Sequence, residues 1–321
     1  MKKYLVTEKK DTRSGFGDAL TELGKNNNKI VALCADLTGS LKMDTFAKNH
    51  PERFIQVGIA EANMIGIAAG IANGGYIPFA GSFANFITGR VYDQIRQVVA
   101  YSNKNVKLAA SHAGITLGED GATHQIMEDI ALMRALPNMT VINPCDYNQT
   151  YLATLAVAEF KGPVYLRFGR PSVPNFTSLN KPFIIGKGEI MEEGCDVTII
   201  ATGHMVWKSL EAWEMLKEKG ISAEIIYIHT IKPLDENIIL SSVNKTNCVV
   251  TAEEHLKNGG LGDAVAQLLV CKYPAPMEYI AVDDCFGESG TPEELLEKYG
   301  LTSENIVEAA LKVIRRKNNS S

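Results

Sequence analysis

Short runs of aliphatic and β-branched residues alternate with helical-period segments along almost the whole chain, and the alternation restarts once. That pattern argues for α/β layers around mostly parallel sheets. In the first half the strand-like runs are Lys29–Cys34, Arg53–Val57, Tyr76–Ala80, Val106–Ser111, Met139–Ile142 and Val164–Phe168. Helical segments such as Asp93–Tyr101, Gln125–Arg134 and Tyr147–Phe160 lie between them. PSVPNFTSLNKPFIIGKGEIMEEG, residues 171–194, then brings three prolines, three glycines and no helical period, the mark of a domain boundary. DVTIIATG, SAEIIYI, NCVVTAEE and MEYIAVDD follow as strands, with helices over MVWKSLEAWEMLKEKG, near Asp235–Val243 and after GGLGD. The reading is two consecutive α/β domains, 1–175 and 191–321, joined by a linker over 176–190.

The 321 residues give room for two cores, and 45% hydrophobic with 21% charged residues is an ordinary globular balance. A net charge of −5 argues against a nucleic-acid or anionic-membrane partner. The basic run Lys312 to Lys317 reads as a frayed helix end in a polar tail. MKKYLVTEKK has three apolar residues before charge returns, too few for a signal peptide. Met64 to Ala72, the longest apolar run, is far short of a membrane span. Six cysteines without a CxxC or a metal-ligand spacing suggest reduced thiols, a cytoplasmic location and no metal site on this chain. Asp283-Asp284 reads as a solvated strand end.

FIQVGIAEANMIGIAAG, residues 54–70, holds a single charge, Glu61, where a short strand turns into a tightly packed helix. A carboxylate there needs a partner. The other polar stretches that follow strand ends are Ala35 to Ser40, Gly81 to Phe86, Ser111 to His124 and Gly169-Arg170, where α/β folds place ligands. No Walker loop, GxGxxG or hydrolytic triad is present.

GIAEANMIGIAAG, GSFANFITGRVYDQIR and SHAGITLGEDGATHQ resemble the pyrimidine-binding domain of transketolases. TAEEHLKNGGLGDAV and FGESGTPEELLEKYGL resemble the transketolase C-terminal domain. The family's Gly-Asp-Gly motif, which binds Mg²⁺ and the diphosphate of thiamine diphosphate, has no counterpart. Gly17-Asp18-Ala19 and Gly262-Asp263-Ala264 fail at the last position. The chain thus resembles the C-terminal subunit of a split transketolase, with an N-terminal partner subunit supplying the diphosphate and Mg²⁺ half in an α2β2 assembly.

The resemblance implies that Glu61 hydrogen-bonds N1′ of the cofactor's aminopyrimidine. Desolvation among Ile, Met and Ala should raise its pKa so that it can share a proton. Phe83 and Phe86 would pack on the pyrimidine ring, although their spacing equally suits plain core. Some transketolases carry a further aromatic three residues on; here Gly89 stands there, leaving a gap for another residue to fill. Asp36 falls where the family has an acidic residue near the cofactor, or forms an Asx-turn. Arg13, Ser40, His112 and Arg170 would contact a sugar phosphate; Asp120 and His124 would bind hydroxyls near the reacting carbons, with His124 also a catalytic candidate. Glu253, Glu254 and His255 before Gly259 to Gly262 read as a structural turn between domains, with no chemistry assigned. The expected activity is transfer of a two-carbon ketol unit between sugar phosphates. A β subunit of an oxo-acid dehydrogenase, a deoxyxylulose-phosphate synthase half and a non-catalytic scaffold are the alternatives.

Overall fold

The computed structural model describes Tyr4, Val6 and residues 8–319. Part of the N-terminal decapeptide and the last two serines of the polar tail therefore lie outside the described residues. A two-stranded antiparallel ribbon pairs β1 (Lys9–Asp11) with β8 (Ser172–Pro174). The first large sheet uses β2 (Ile30–Cys34), β3 (Phe54–Gln56), β4 (Ile77–Phe83), β5 (Lys107–Ser111), β6 (Thr140–Ile142) and β7 (Val164–Arg167). The second uses β9 (Glu189–Glu192), β10 (Val197–Ala201), β11 (Ala223–Tyr227), β13 (Val249–Leu256) and β14 (Met277–Val282). A further strand, β12 (Thr230–Lys232), lies between β11 and β13 in the chain.

The seven-stranded sheet runs β12-β6-β7-β5-β4-β2-β3, and the five-stranded sheet β14-β13-β10-β11-β9. All neighbours are parallel except the edge pairs β12–β6 and β11–β9. Alternation along a strand explains why both faces are covered. In β2, Ile30, Ala32 and Cys34 enter the core shared with Phe16, Phe46 and Val157, while Val31 and Leu33 enter that of Met64, Ile65 and Ile95. Helices Thr12–Asn26 and Tyr147–Glu159 pack together on the first face. Gly15 permits this, since a Cβ there would stand 2.4 Å from the Tyr147 carbonyl oxygen.

Several expectations shift. β4 runs three residues past the expected Ala80, so Phe83 ends the strand rather than sitting in a loop. The helix expected from Gln125 begins at Asp129, because Gln125 is occupied in bonding Ile115, Gly118 and Glu288 carbonyls. The stretch from Tyr92 opens as one α-turn and continues as a wider π-type coil over Ile95–Tyr101. β9 starts at Glu189, inside the expected linker, and β12 belongs by sequence to the second half yet extends the first sheet. The basic run is not a frayed end. Within helix Ser303–Asn319, Lys312 and Arg316 pair with Glu278, and Lys317 donates to the Asp196 and Thr246 carbonyls. Among the described residues no helix is long and apolar enough to cross a membrane, and all six cysteines are unpaired.

A buried ion pair in the first domain also reaches the second. Arg167 Nε, at the end of β7, lies 2.7 Å from Asp129 Oδ2, and both side chains are almost fully buried. Tyr165 donates to the same carboxylate at 2.6 Å, and Arg167 Nη2 donates to the Glu254 carbonyl of β13 at 2.8 Å. Burial alone would lower the arginine's pKa and raise the aspartate's. The facing charges override it in both cases, so the pair stays ionised. Asp129→Ala would leave Arg167 charged and uncompensated, with an expected loss of about 3–5 kcal/mol. Urea unfolding of the variant beside the parent measures it; a change below about 1 kcal/mol would show that the arginine finds water instead.

Candidate functional site

The carboxyl ends of β2, β4, β5 and β7, neighbours in the sheet, carry most of the polar residues singled out above. Register decides the central contact. Phe83 pairs with Ser111 across β4 and β5, which sets the Phe83 ring against the next residue, His112. The two rings stack with centroids 3.8 Å apart and 23° between planes. Phe86, one turn on, lies near-parallel to Phe83 at 5.7 Å and 20°. His124 meets the edge of Phe86 at 5.3 Å. Asn85 Nδ2 donates to the Thr123 carbonyl at 2.8 Å and so holds the His124 end of the loop against the aromatic pair.

Glu61 opens helix Glu61–Asn73 and is 3% exposed. Its apolar neighbours are as expected, with Met64 and Ile65 buried beneath it. It is not in purely apolar surroundings, however. Arg90 Nη1 lies 3.3 Å from both carboxylate oxygens, and the same guanidinium covers the Phe86 ring at 4.2 Å. Arg90 is half exposed. A cation held between an aromatic face and a carboxylate is a stable arrangement, worth about 0.5–1 kcal/mol for the ring contact at an exposed site.

On the other side of the aromatic pair, positive charge converges. Arg13 Nη1 donates to the Ser40 carbonyl at 3.2 Å, and Arg170 Nη1 donates to the Leu117 carbonyl at 2.6 Å and to Glu119 at 2.7 Å. His112 is buried with φ of 57°, and its Nδ1 is 2.6 Å from Ser111 Oγ. Burial, followed by repulsion from Arg13, Arg170 and His124, pushes its pKa down to about 3. A neutral imidazole flanked by two guanidinium groups suits an anion with several oxygens.

Comparison with known proteins agrees with this geometry. Residues 8–175 match the family described as transketolase, pyrimidine binding domain, and residues 186–306 match transketolase, C-terminal domain. The chain is 49% identical over 310 residues to a putative transketolase C-terminal section of Methanocaldococcus jannaschii, covering 96% of this chain and 97% of that one. It is 46% identical to a 6-deoxy-6-sulfo-D-fructose transketolase subunit of Clostridium sp. (strain MSTE9), covering 95% of each. A solved structure described as a split gene transketolase, inactive β4 tetramer, superposes with a TM-score of 0.90 at 49% identity, covering 96% of this chain and 99% of that one. The chain belongs to the transketolase family. It corresponds to the C-terminal section of a two-chain transketolase.

Of the transketolase residues expected from the sequence, Phe83, Phe86, His112 and His124 form one ring cluster, stacked except for the edge-on His124, with Glu61 joined to it through Arg90. Arg13, Ser40 and Arg170 gather on the anion side. Asp120 and Asp36 stay exposed; Asp36 has φ of 59°, and its N–H donates to Gln56 Oε1 at 2.7 Å. Sequence reasoning missed Arg90. The one available signal was Gly89, where a further aromatic was absent; the arginine beside it covers Phe86 instead. Glu253 accepts from the Leu261 and Gly262 N–H groups at 2.7 Å each, so the glycine turn is filled by the chain's own carboxylate.

Stability should depend on pH through buried imidazoles. Burial lowers His112 to about 3 and His229 and His255 to about 4. The unfolded chain takes up these protons below about 6.5 and the folded chain does not, so stability falls as pH drops. Glu253, raised by burial to about 7, acts oppositely between about 4.5 and 7, but three imidazoles outnumber one carboxyl. The expected loss from pH 7 to pH 5 is on the order of 3 kcal/mol. Urea midpoints at the two pH values check it, and an equal or higher midpoint at pH 5 contradicts it.

Proposed function

We propose that this chain forms half of the active site of a two-chain ketol transferase that uses thiamine diphosphate, with an N-terminal partner subunit supplying the diphosphate and Mg²⁺ site. The observation that carries the reading is the joining of Glu61, the Phe83–Phe86 pair and the His112–Arg170 anion pocket at adjacent strand ends. The donor set fits the aminopyrimidine end of the cofactor: parallel aromatic faces for a flat heterocycle and a buried carboxylate beside them for a ring nitrogen. Nothing in the sequence matches Gly-Asp-Gly, so the diphosphate end falls to the partner. A closed α2β2 assembly is the expected solution for a site shared between chains.

When bound, the cofactor supplies the electron sink for cleaving the bond next to a ketose carbonyl. Glu61 holds and shares a proton at the pyrimidine N1′, which requires Arg90 to yield part of its contact. Phe83 and Phe86 orient the ring. Neutral His112, with Arg13, Ser40 and Arg170, grips the terminal anion of the sugar. His124 and Asp120 bind hydroxyls nearer the reacting carbons, where His124 can relay a proton. The two guanidinium groups favour a ketose with a terminal tetrahedral oxyanion over a branched oxo acid. A phosphate and a sulfonate share that chemistry, and the sulfo-fructose name of one relative keeps both in view.

Assembly with the N-terminal section, followed by a screen of phosphorylated and sulfonated ketose donors, tests the reading. The chain alone, with thiamine diphosphate and Mg²⁺ added, should transfer nothing; turnover by it would end the split-site proposal. In the assembled enzyme Glu61→Gln should lose about 10²–10⁴ in turnover, because an amide keeps the shape but cannot exchange a proton. Near-normal turnover would make Glu61 a structural residue. Arg170→Ala should raise KM for anionic sugars about ten- to a hundredfold while changing turnover less. Equal losses on charged and uncharged donors would remove Arg170 from the anion site.

A further inference from the structure

The second domain reaches into the loop that carries His112 and His124 through one carboxylate. Glu254, on β13, is buried, and its Oε1 accepts two hydrogen bonds of 2.7 Å from Thr116, one from the backbone N–H and one from the hydroxyl. Thr116 stands four residues after His112 and four before Asp120, at the centre of the loop. The approach is close. A Cβ on Gly114, whose φ is 80°, would fall 2.2 Å from the same carboxylate oxygen. Only glycine suits that position.

From Thr116 the contact passes on. The next residue, Leu117, gives its carbonyl to Arg170 Nη1 at 2.6 Å. Gln125, at the end of the loop, is tied to the Glu288 carbonyl of the second domain at 3.0 Å. Burial would raise the Glu254 pKa, but His204, with Nδ1 at 3.5 Å, and Arg167 hold it below the usual carboxylate value. An ionised carboxylate has only acceptors to offer, so both Thr116 donors are gripped by charge-assisted bonds.

We propose that Glu254 is a positioning residue through which the second domain sets the anion-binding loop and, through Leu117, the guanidinium of Arg170. The proposal rests on the reading of His112, Asp120 and Arg170 as the substrate side. It gives the second domain a part in substrate recognition, beyond packing and without chemistry of its own.

The test uses Glu254→Ala, Glu254→Gln and Thr116→Val in the full chain, with and without its N-terminal partner. Glu254→Ala should raise KM for an anionic ketose about ten- to a hundredfold with turnover changed less. Affinity for thiamine diphosphate should fall less than affinity for the ketose, because the loop meets Phe83 and Phe86 only through His112 and His124, and Glu61 touches neither. Amide exchange of residues 112–124 should quicken in the chain alone. Glu254→Gln keeps an oxygen for Thr116, so it should restore most of the KM. Thr116→Val removes one donor and keeps the shape, giving a smaller shift of the same kind. A folded Glu254→Ala with unchanged KM and unchanged loop exchange overturns the proposal. So does a loss of cofactor affinity equal to the loss of substrate affinity. Should Glu254→Ala not fold, Thr116→Val decides by the same two readouts. If the parent pair transfers no ketol unit at all, the functional reading falls, and loop exchange alone decides the positioning claim.

Discussion

Two charges taken out of water, Asp129 and Arg167, set the frame on which the site is built. Asp129 starts the helix that receives the loop from His112, so fixing it fixes the loop's exit. Arg167 ends β7, three residues before Arg170, so fixing it fixes where the anion-side arginine leaves the sheet. Nη2 of the guanidinium, which also meets Asp129 Oδ1, donates to the Glu254 carbonyl and brings β13 of the second domain alongside. Such a pair gains little net stability over apolar residues of the same shape, because desolvation offsets most of the attraction. What it does supply is a requirement for position: each charge is tolerable only where the other is. Three pieces of chain far apart in sequence must then meet in one way.

His112 shows what the frame sustains. A non-glycine residue with φ of 57° is strained, at a cost of about 1–3 kcal/mol, and persists only where its surroundings over-determine it. Here the ring is stacked on Phe83, bonded to Ser111 and kept from protonation by burial and then by Arg13 and Arg170. The twist turns the imidazole back over the end of β4 instead of onward along the loop. Strain, stacking and lowered basicity are therefore one arrangement, and its product is an uncharged hydrogen-bonding ring inside a positive pocket.

Much of this was legible in the sequence, for identifiable reasons. Glu61 stood out as a lone charge in an apolar strand-to-helix turn, and the parallel strands as continuous apolar runs buried on both faces. The loop from His112 to His124 was marked by its glycines and paired histidines. Other features depend on partners that local sequence does not specify. β12 reads correctly as a strand in neither half, since its pairing with β6 is a choice between two sheets. Arg90 looks like any surface arginine until the fold brings Glu61, 29 residues away, against its guanidinium. Glu254 and Thr116 are 138 positions apart, and neither has a periodicity that points to the other. The basic run near the C-terminus misled because its acidic partner, Glu278, lies on a separate strand.

The two ends of the site are finished to different degrees within the chain. At the anion end the anchors are buried: His112, Thr116, Gln125 and Glu254 all lie out of solvent, and the second domain closes over the loop. At the Glu61 end the carboxylate is buried but its covering group is not. Arg90 is 50% exposed, and Ile59, two residues before Glu61, is 76% exposed. Under the proposed function, this is the end that a partner chain would cover. On that view Arg90 is the group that must give way when a heterocycle settles on Phe86 and Glu61, since one aromatic face and one carboxylate cannot serve both fully. The contact it loses is half exposed and therefore weak.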